Sequence, residues 1–207
     1  LEAMKEMPDN SYELAIVDPP YGIDADIKNN GANSESHKKT SKAKINTYKT
    51  NGWDSSIPSE DYFIELKRVS KRQVIWGANY FGLVGGYLFW DKGVTMPTYS
   101  RGELASISWL NKIEYYKYTW HGMLQGDMKN KELRIHPTQK PVRLYEWLLD
   151  NYAKEGDKIL DTHLGSGSIA LACHNRGYSL DAYEIDEEYL NAAADRLRIH
   201  QSQLTIF

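Results

Sequence analysis

The chain has 207 residues, 41% of them hydrophobic and 26% charged, and a net charge of −3. That length supports one domain over residues 1–207. Its single cysteine, Cys173, excludes an intrachain disulfide framework and a Cys-rich zinc cluster. No run nears the roughly 18 apolar residues of a membrane span, and no leader pattern precedes the first charges, so a cytoplasmic location is expected.

Tyr12–Val17 reads as a short strand. It stops at Asp18-Pro19-Pro20-Tyr21, because two successive prolines cannot donate to a ladder. Residues 22–56 are rich in Asn, Ser, Gly, Thr and Lys, which predicts a long mobile loop. Ser59 stands at a helix N-cap position, and Tyr62, Phe63, Leu66 and Val69 follow at helical spacing. Gln73–Trp76 and Tyr87–Trp90 read as strands. Leu104–Leu110 and Ile113–Trp120 read as a hairpin turning at Asn111-Lys112. Residues 122–135 are polar and irregular. Val142–Tyr152 reads as a helix with Pro141 in its first turn. Lys158–Leu160 makes a short strand into Asp161, and Gly165-Ser166-Gly167 turns into a helix over 168–176. Ser179–Tyr183 reads as a strand ending in Glu184, and a helix runs from Glu187 to the region of Ile199. This alternation predicts an open, mostly parallel, twisted α/β sheet with helices on both faces. Ligands of such sheets bind beyond the carboxyl ends of the strands, where Asp18, Asp161 and Glu184 stand.

The segment Asp161-Thr162-His163-Leu164-Gly165-Ser166-Gly167 is a nucleotide-type turn, in which glycines let the backbone approach a ligand closely. Glu184 follows Gly167 by 17 residues and suits the two hydroxyls of a ribose. The run Gly165-Ser166-Gly167-Ser168-Ile169-Ala170 also fits a dinucleotide fingerprint. Charge separates the two cofactors: Asp161 would repel a pyrophosphate but attract an ammonium. S-adenosylmethionine has a ribose and an ammonium and no phosphate, so it fits better than NAD.

Asp18-Pro19-Pro20-Tyr21 offers a carboxylate, a rigid carbonyl and an aromatic face. A heteroaromatic amino group needs all three, because its lone pair is delocalised into the ring. The Asp18 carboxylate and the Pro19 carbonyl can accept its hydrogens, free the lone pair and favour the positive charge that grows on nitrogen as it is methylated. Tyr21 can stack on the ring.

Three segments carry a family resemblance: Asp18-Pro19-Pro20-Tyr21, His136-Pro137-Thr138-Gln139-Lys140-Pro141, and Asp161–Ser168 with Glu184. The chain resembles the DNA amino-methyltransferases, in the permuted order that places the catalytic motif before the cofactor motif. Asn79-Tyr80 and Trp90-Asp91-Lys92 resemble short phage- and prophage-type members. The resemblance implies a Rossmann-like S-adenosylmethionine-dependent fold, a DNA partner, base flipping and a place in DNA methylation or restriction–modification. A homodimer is among the assemblies it admits. It assigns Asp18, Pro19, Pro20 and Tyr21 to the target amine. It assigns Asp161, His163, Gly165, Ser166, Gly167, Ser168 and Glu184 to the cofactor, with Thr138, Gln139 and Lys140 near the cofactor's carboxylate. Members commonly have Asp-Pro-Phe where this chain has Asp161-Thr162-His163, so His163 either replaces the aromatic or is an ordinary turn residue. Asp at the first motif position leans toward adenine N6, and Ser toward cytosine N4. Cytosine C5 chemistry needs a cysteine nucleophile that Cys173, inside an apolar helix, does not supply. Methylation of cytosine N4, RNA or a protein amide, and a catalytically silent nucleic-acid-binding module, are the competing readings.

The six histidines form no pair at ligand spacing, so no metal is expected. Residues 1–21 carry one positive and five negative groups, and 142–207 carry six and eleven, but the stretch between carries eighteen and twelve. Lys28, Lys38, Lys39, Lys42, Lys44 and Lys49 supply much of that excess and are expected to meet DNA phosphates. Base reading would then fall to this loop and to a small insert at 93–135.

Overall fold

The computed structural model describes residues 1–25, 48, 52–97 and 99–204. A short helix α1 (Glu2–Lys5) precedes β1 (Leu14–Val17), followed by α2 (Glu60–Val69), β2 (Gln73–Trp76), α3 (Ala78–Phe81), β3 (Gly86–Asp91), β4 (Gly102–Ile107) and β5 (Ile113–Lys117). A small ribbon, β6 (Trp120–His121) and β7 (Leu124–Gln125), leads to α4 (Val142–Tyr152). Then come β8 (Lys158–Asp161), α5 (Ser168–Arg176), β9 (Ser179–Ala182) and α6 (Glu187–Leu204).

Seven strands form one sheet in the order β5-β3-β4-β2-β1-β8-β9. β1 runs parallel to β2 and β8, β9 parallel to β8, and β5 parallel to β3, while β4 is antiparallel to both neighbours. β1 lies near the centre, and all four of its residues are buried. A strand covered on both faces has no place for polar alternation, which is why Leu14-Ala15-Ile16-Val17 is continuously apolar. Its side chains still alternate between faces. Leu14 and Ile16 pack with Leu144, Leu148 and Leu149 of α4 and Ile169 of α5, whereas Ala15 and Val17 pack with Met4 of α1 and Leu66 and Val69 of α2. Helices therefore cover both faces, as the alternation predicted.

The expected hairpin of 104–120 does not form. β4 has β2 on one edge and β3 on the other, so β5 has no edge of β4 left to join. It pairs instead with β3, Tyr87 to Ile113 through Asp91 to Lys117. There it becomes an edge strand whose Ile113 and Tyr115 are 73% and 57% exposed. The antiparallel partners are β3 and β4, joined through residues 92–101. Pro141 sits one residue earlier than expected, at the N-cap of α4, and the Ser59 hydroxyl makes no cap bond on α2. Among the described residues no helix is long and apolar enough to cross a membrane.

From β1 the chain passes to β2 on one side and later returns to β8 on the other, and a cleft opens at such a switch in strand order. Asp18 leaves the end of β1, Gly77 the end of β2, and Asp161 closes β8 beside them.

Candidate active site

Asp18 is held by a compact hydrogen-bond set. The Tyr21 hydroxyl donates to Asp18 Oδ1 at 2.6 Å, and Lys140 Nζ donates to Asp18 Oδ2. The same ammonium reaches Glu103 Oε2 at 3.0 Å and the Tyr21 hydroxyl at 3.2 Å, and Glu103 also pairs with Lys92. Burial raises the Asp18 carboxyl above the ordinary range, with Lys140 pulling against it and Glu103 adding to it. Burial would raise Glu103 as well, but Lys140 and Lys92 outweigh it and hold that carboxyl down to about 2. Each Asp18 oxygen has a second lone pair with which to accept an amine hydrogen.

The Tyr21 ring stacks on Tyr80 at 4.8 Å and 16° and meets Phe81 edge-on. Room for it depends on Gly77. A Cβ at Gly77 would stand 2.4 Å from Tyr21 Cε1, and Gly77 has φ +80°, a conformation that favours glycine.

The backbone after Tyr21 is tied by one residue. Asp54 Oδ1 accepts from the Tyr21 and Gly22 amides at 2.6 and 3.0 Å, and Oδ2 from Ile23 and Ala25 at 3.3 and 2.8 Å. The Asp54 carbonyl takes the Asp24 amide at 3.1 Å. Every amide from 21 to 25 thus ends on Asp54, which is 1% exposed. Lys28, Lys38, Lys39, Lys42, Lys44 and Lys49 lie outside the described residues.

The glycine turn is braced from two sides. Glu184 Oε2 accepts the Gly165 amide at 2.8 Å, and its Oε1 accepts the Asp186 amide at 3.0 Å. Arg196 of α6 donates to the Ser166 carbonyl and the Ser168 hydroxyl, both at 2.9 Å, and pairs with Glu132 at 2.6 Å. Gly167 begins α5 with φ +72°, and a Cβ there would come within 2.9 Å of Ala193, so only glycine lets the turn approach α6. Asp161 Oδ1 accepts the His163 amide at 3.0 Å. Burial pushes the Asp161 carboxyl up to about 8, opposed by that amide and reinforced by Asp18 and Glu184. Burial also pushes the His163 and His136 rings down to about 4. Both are therefore neutral near pH 7. His163 lies edge-on to Tyr62, whose hydroxyl meets Thr162 at 2.7 Å.

One cavity of about 490 Å³ joins these parts. Its wall includes Asp18 and Pro20 together with His163, Leu164, Gly165, Ser166, Glu184 and Asp186. Thr138, Gln139, Lys140 and His136 also line it, as do the aromatic residues Trp53, Tyr145 and Tyr189. Of the residues expected at the site, Pro19, Tyr21, Asp161, Gly167 and Ser168 are not in the wall itself. Gln139 gives its amide group to the Ile135 amide and the Leu133 carbonyl, and Thr138 turns its hydroxyl onto His136. Lys140 faces Asp18 and Glu103. Its neighbours in sequence gave no hint of this, since the partners are far apart along the chain.

Asp54, Glu103, Gly77, Arg196 and Trp53 are residues that sequence reasoning did not single out. Tyr80 and Lys92 lay in fragments that did carry a signal. Asn79-Tyr80 and Trp90-Asp91-Lys92 contributed to the resemblance, without a role.

The model of the DNA methylase family matches residues 79–195, more than half of the chain, and the chain belongs to that family. It is 40% identical over 68 residues to the type II methyltransferase M.HpaI of Haemophilus parainfluenzae, a stretch that is 33% of this chain and only 22% of that protein. Among solved structures it resembles the M1.HpyAVI–SAM complex, with TM-score 0.54 and 19% identity over 94% of this chain and 92% of the other. It also resembles the cytosine-N4-specific PvuII DNA methyltransferase, with TM-score 0.57 and 13% identity over 93% and 82%. At those identities the likeness is one of fold, and it agrees with the Rossmann-like architecture described above.

Proposed function

We propose that this member of the DNA methylase family transfers a methyl group from S-adenosylmethionine to the N6 amino group of adenine in DNA. The observation that carries the proposal is the single cavity whose wall contains both Asp18 and Pro20 and, with them, Gly165, Ser166 and Glu184. A cofactor and a target amine can meet there without crossing protein.

The residues present fit that cofactor. The cavity volume suits a small-molecule site, and Trp53 on its wall has an indole N–H buried without a protein acceptor. Glu184 would hold the ribose hydroxyls while bracing Gly165. Asp161 would attract the ammonium, and Thr138 would lie toward the carboxylate. His163, neutral and edge-on to Tyr62, would be an uncharged wall in the place an aromatic commonly takes. When bound, S-adenosylmethionine supplies a methyl group on a positively charged sulfur.

Asp18 and the Pro19 carbonyl accept the two amine hydrogens and turn the nitrogen lone pair toward the methyl carbon. Asp18 would take up the proton that nitrogen loses as it gains the methyl group. The two prolines hold both acceptors in place, so the turn needs no reorganisation at the reacting moment. The Tyr21–Tyr80 stack offers an aromatic platform beside Asp18 for a base taken out of its helix. Asp rather than Ser at position 18 favours adenine. The lysines between Lys28 and Lys49 would bind backbone phosphates without reading sequence.

Asp18→Ala tests the division of labour. It is expected to abolish methyl transfer to DNA while calorimetry shows S-adenosylmethionine binding largely intact. Loss of cofactor binding in this variant would overturn the division.

A further inference from the structure

Behind the Asp18 turn runs a chain of alternating charges, Lys92–Glu103–Lys140–Asp18. Lys92 follows β3 and Glu103 lies on β4, and neither is in the cavity wall. Lys140 has a side chain only 2% exposed, and its ammonium donates to Asp18 Oδ2, Glu103 Oε2 and the Tyr21 hydroxyl. Those three acceptors match the three hydrogens of an ammonium. Its position is therefore fixed by all three.

This arrangement bears on Asp18 directly. A buried ammonium paired with Asp18 alone would neutralise the carboxylate, because charge interactions are strong where water is excluded. A neutralised carboxylate is a poor acceptor for an amine that is gaining positive charge. Glu103 draws the same ammonium the other way, and Lys92 keeps Glu103 ionised. We infer that Glu103, anchored by Lys92, is a positioning residue for Asp18: it shares the charge of Lys140 so that Asp18 keeps its acceptor strength for the target amine. The inference rests on the methyl-transfer reading of the site.

The groups facing Asp18 are Tyr21 on its own turn, Lys140 ahead of α4, Tyr145 on α4, Glu103 on β4 with Lys92 behind it, Tyr62 on α2 and Asp161 on β8. Among the charged neighbours of Asp18, Glu103 raises its carboxyl and Lys140 lowers it. Replacing Glu103 by Gln keeps an oxygen acceptor and the size but removes the negative charge. Asp18 should then ionise at lower pH than in the wild type, yet serve the reaction less well. Replacing Lys92 by Gln removes a positive charge and should move Asp18 the opposite way.

The test reads Asp18 in the ligand-free protein by carbon-13 carboxyl NMR titration, with Asp18→Asn to assign the signal. Glu103→Gln is expected to shift the Asp18 titration to lower pH, and Lys92→Gln to higher pH. In methyl transfer, Glu103→Gln is expected to lower kcat about tenfold or more, with KM for S-adenosylmethionine unchanged, and Glu103→Asp to recover most of the loss. An active wild type whose Glu103→Gln variant keeps its titration and its kcat overturns the positioning role alone. So does an upward titration shift in that variant. If Glu103→Gln does not fold, Lys92→Gln decides, and an unchanged or lowered titration there overturns the role. A folded wild type that methylates no nucleic acid overturns the methyl-transfer reading and this role with it.

Discussion

Asp54→Asn changes one atom and should cost far more than a loop substitution normally does. The carboxylate takes four backbone amides, two on each oxygen, at 2.6, 3.0, 3.3 and 2.8 Å. An asparagine keeps one oxygen and turns an NH₂ toward the two amides of the other. Two donors then lose their acceptor in a place closed to water. At about 1–3 kcal/mol for each buried donor left unpaired, and with one of the four bonds already long, the expected loss is about 3 kcal/mol. For a domain of this size that corresponds to a melting temperature lower by about 6–12 °C. Asp54→Ala removes all four acceptors and should cost more. Thermal unfolding of both variants checks the magnitude. Methyl transfer at a temperature where both stay folded should also fall, because the Tyr21 amide loses its anchor. An Asp54→Asn protein that melts within about 1 °C of the wild type would refute the reasoning.

Gly77→Ala would force a left-handed residue to carry a Cβ 2.4 Å from the Tyr21 ring. The backbone cost of about 1–2 kcal/mol and an overpacking cost of about 1–3 kcal/mol should both appear in urea unfolding, together with reduced transfer; wild-type behaviour in both would contradict the placement of Tyr21. Asp161, pushed up to about 8, is protonated near pH 6.5 in the free protein. A cofactor ammonium would favour its ionised form, so S-adenosylmethionine binding should release a proton and give a calorimetric enthalpy that depends on the buffer, an effect absent in Asp161→Asn. The stability sign follows from the same group. The unfolded chain ionises Asp161 near pH 4, the folded one only near 8, so the stability it contributes is full below pH 4 and declines as pH rises to 8. Asp161→Asn should therefore melt higher than wild type at pH 8. Replacing the six lysines between Lys28 and Lys49 by Gln should reduce the slope of log affinity against log salt by up to about 5, measured by fluorescence anisotropy on duplex DNA.

The parts of the fold legible in the sequence are those fixed by neighbours along the chain. Leu14–Val17 announces a central strand because nothing in it tolerates water, and the two prolines mark its end. Gly165 and Gly167 mark a turn because the backbone there needs their freedom. The β4–β5 hairpin failed for a reason no local pattern holds: which edges of a strand are already taken depends on strands far away in sequence. The same distance hid Asp54, which serves Tyr21 across 33 positions, and Glu103, which meets Lys140 through space. Lys140 stood inside a recognisable hexapeptide, yet its pairing with Asp18 across 122 positions could be seen only once β1 and the start of α4 were placed side by side. Overall charge misled in the same manner. A mildly acidic total concealed a basic middle between acidic flanks.

The central claim is tested most directly by incubating the protein with methyl-labelled S-adenosylmethionine and duplex DNA of mixed sequence, digesting the DNA to nucleosides and identifying the labelled one. Label in N6-methyl-2′-deoxyadenosine, lost in Asp18→Ala, is the predicted result. Label in N4-methyl-2′-deoxycytidine would contradict the assignment of the base, and unlabelled DNA would contradict the claim itself.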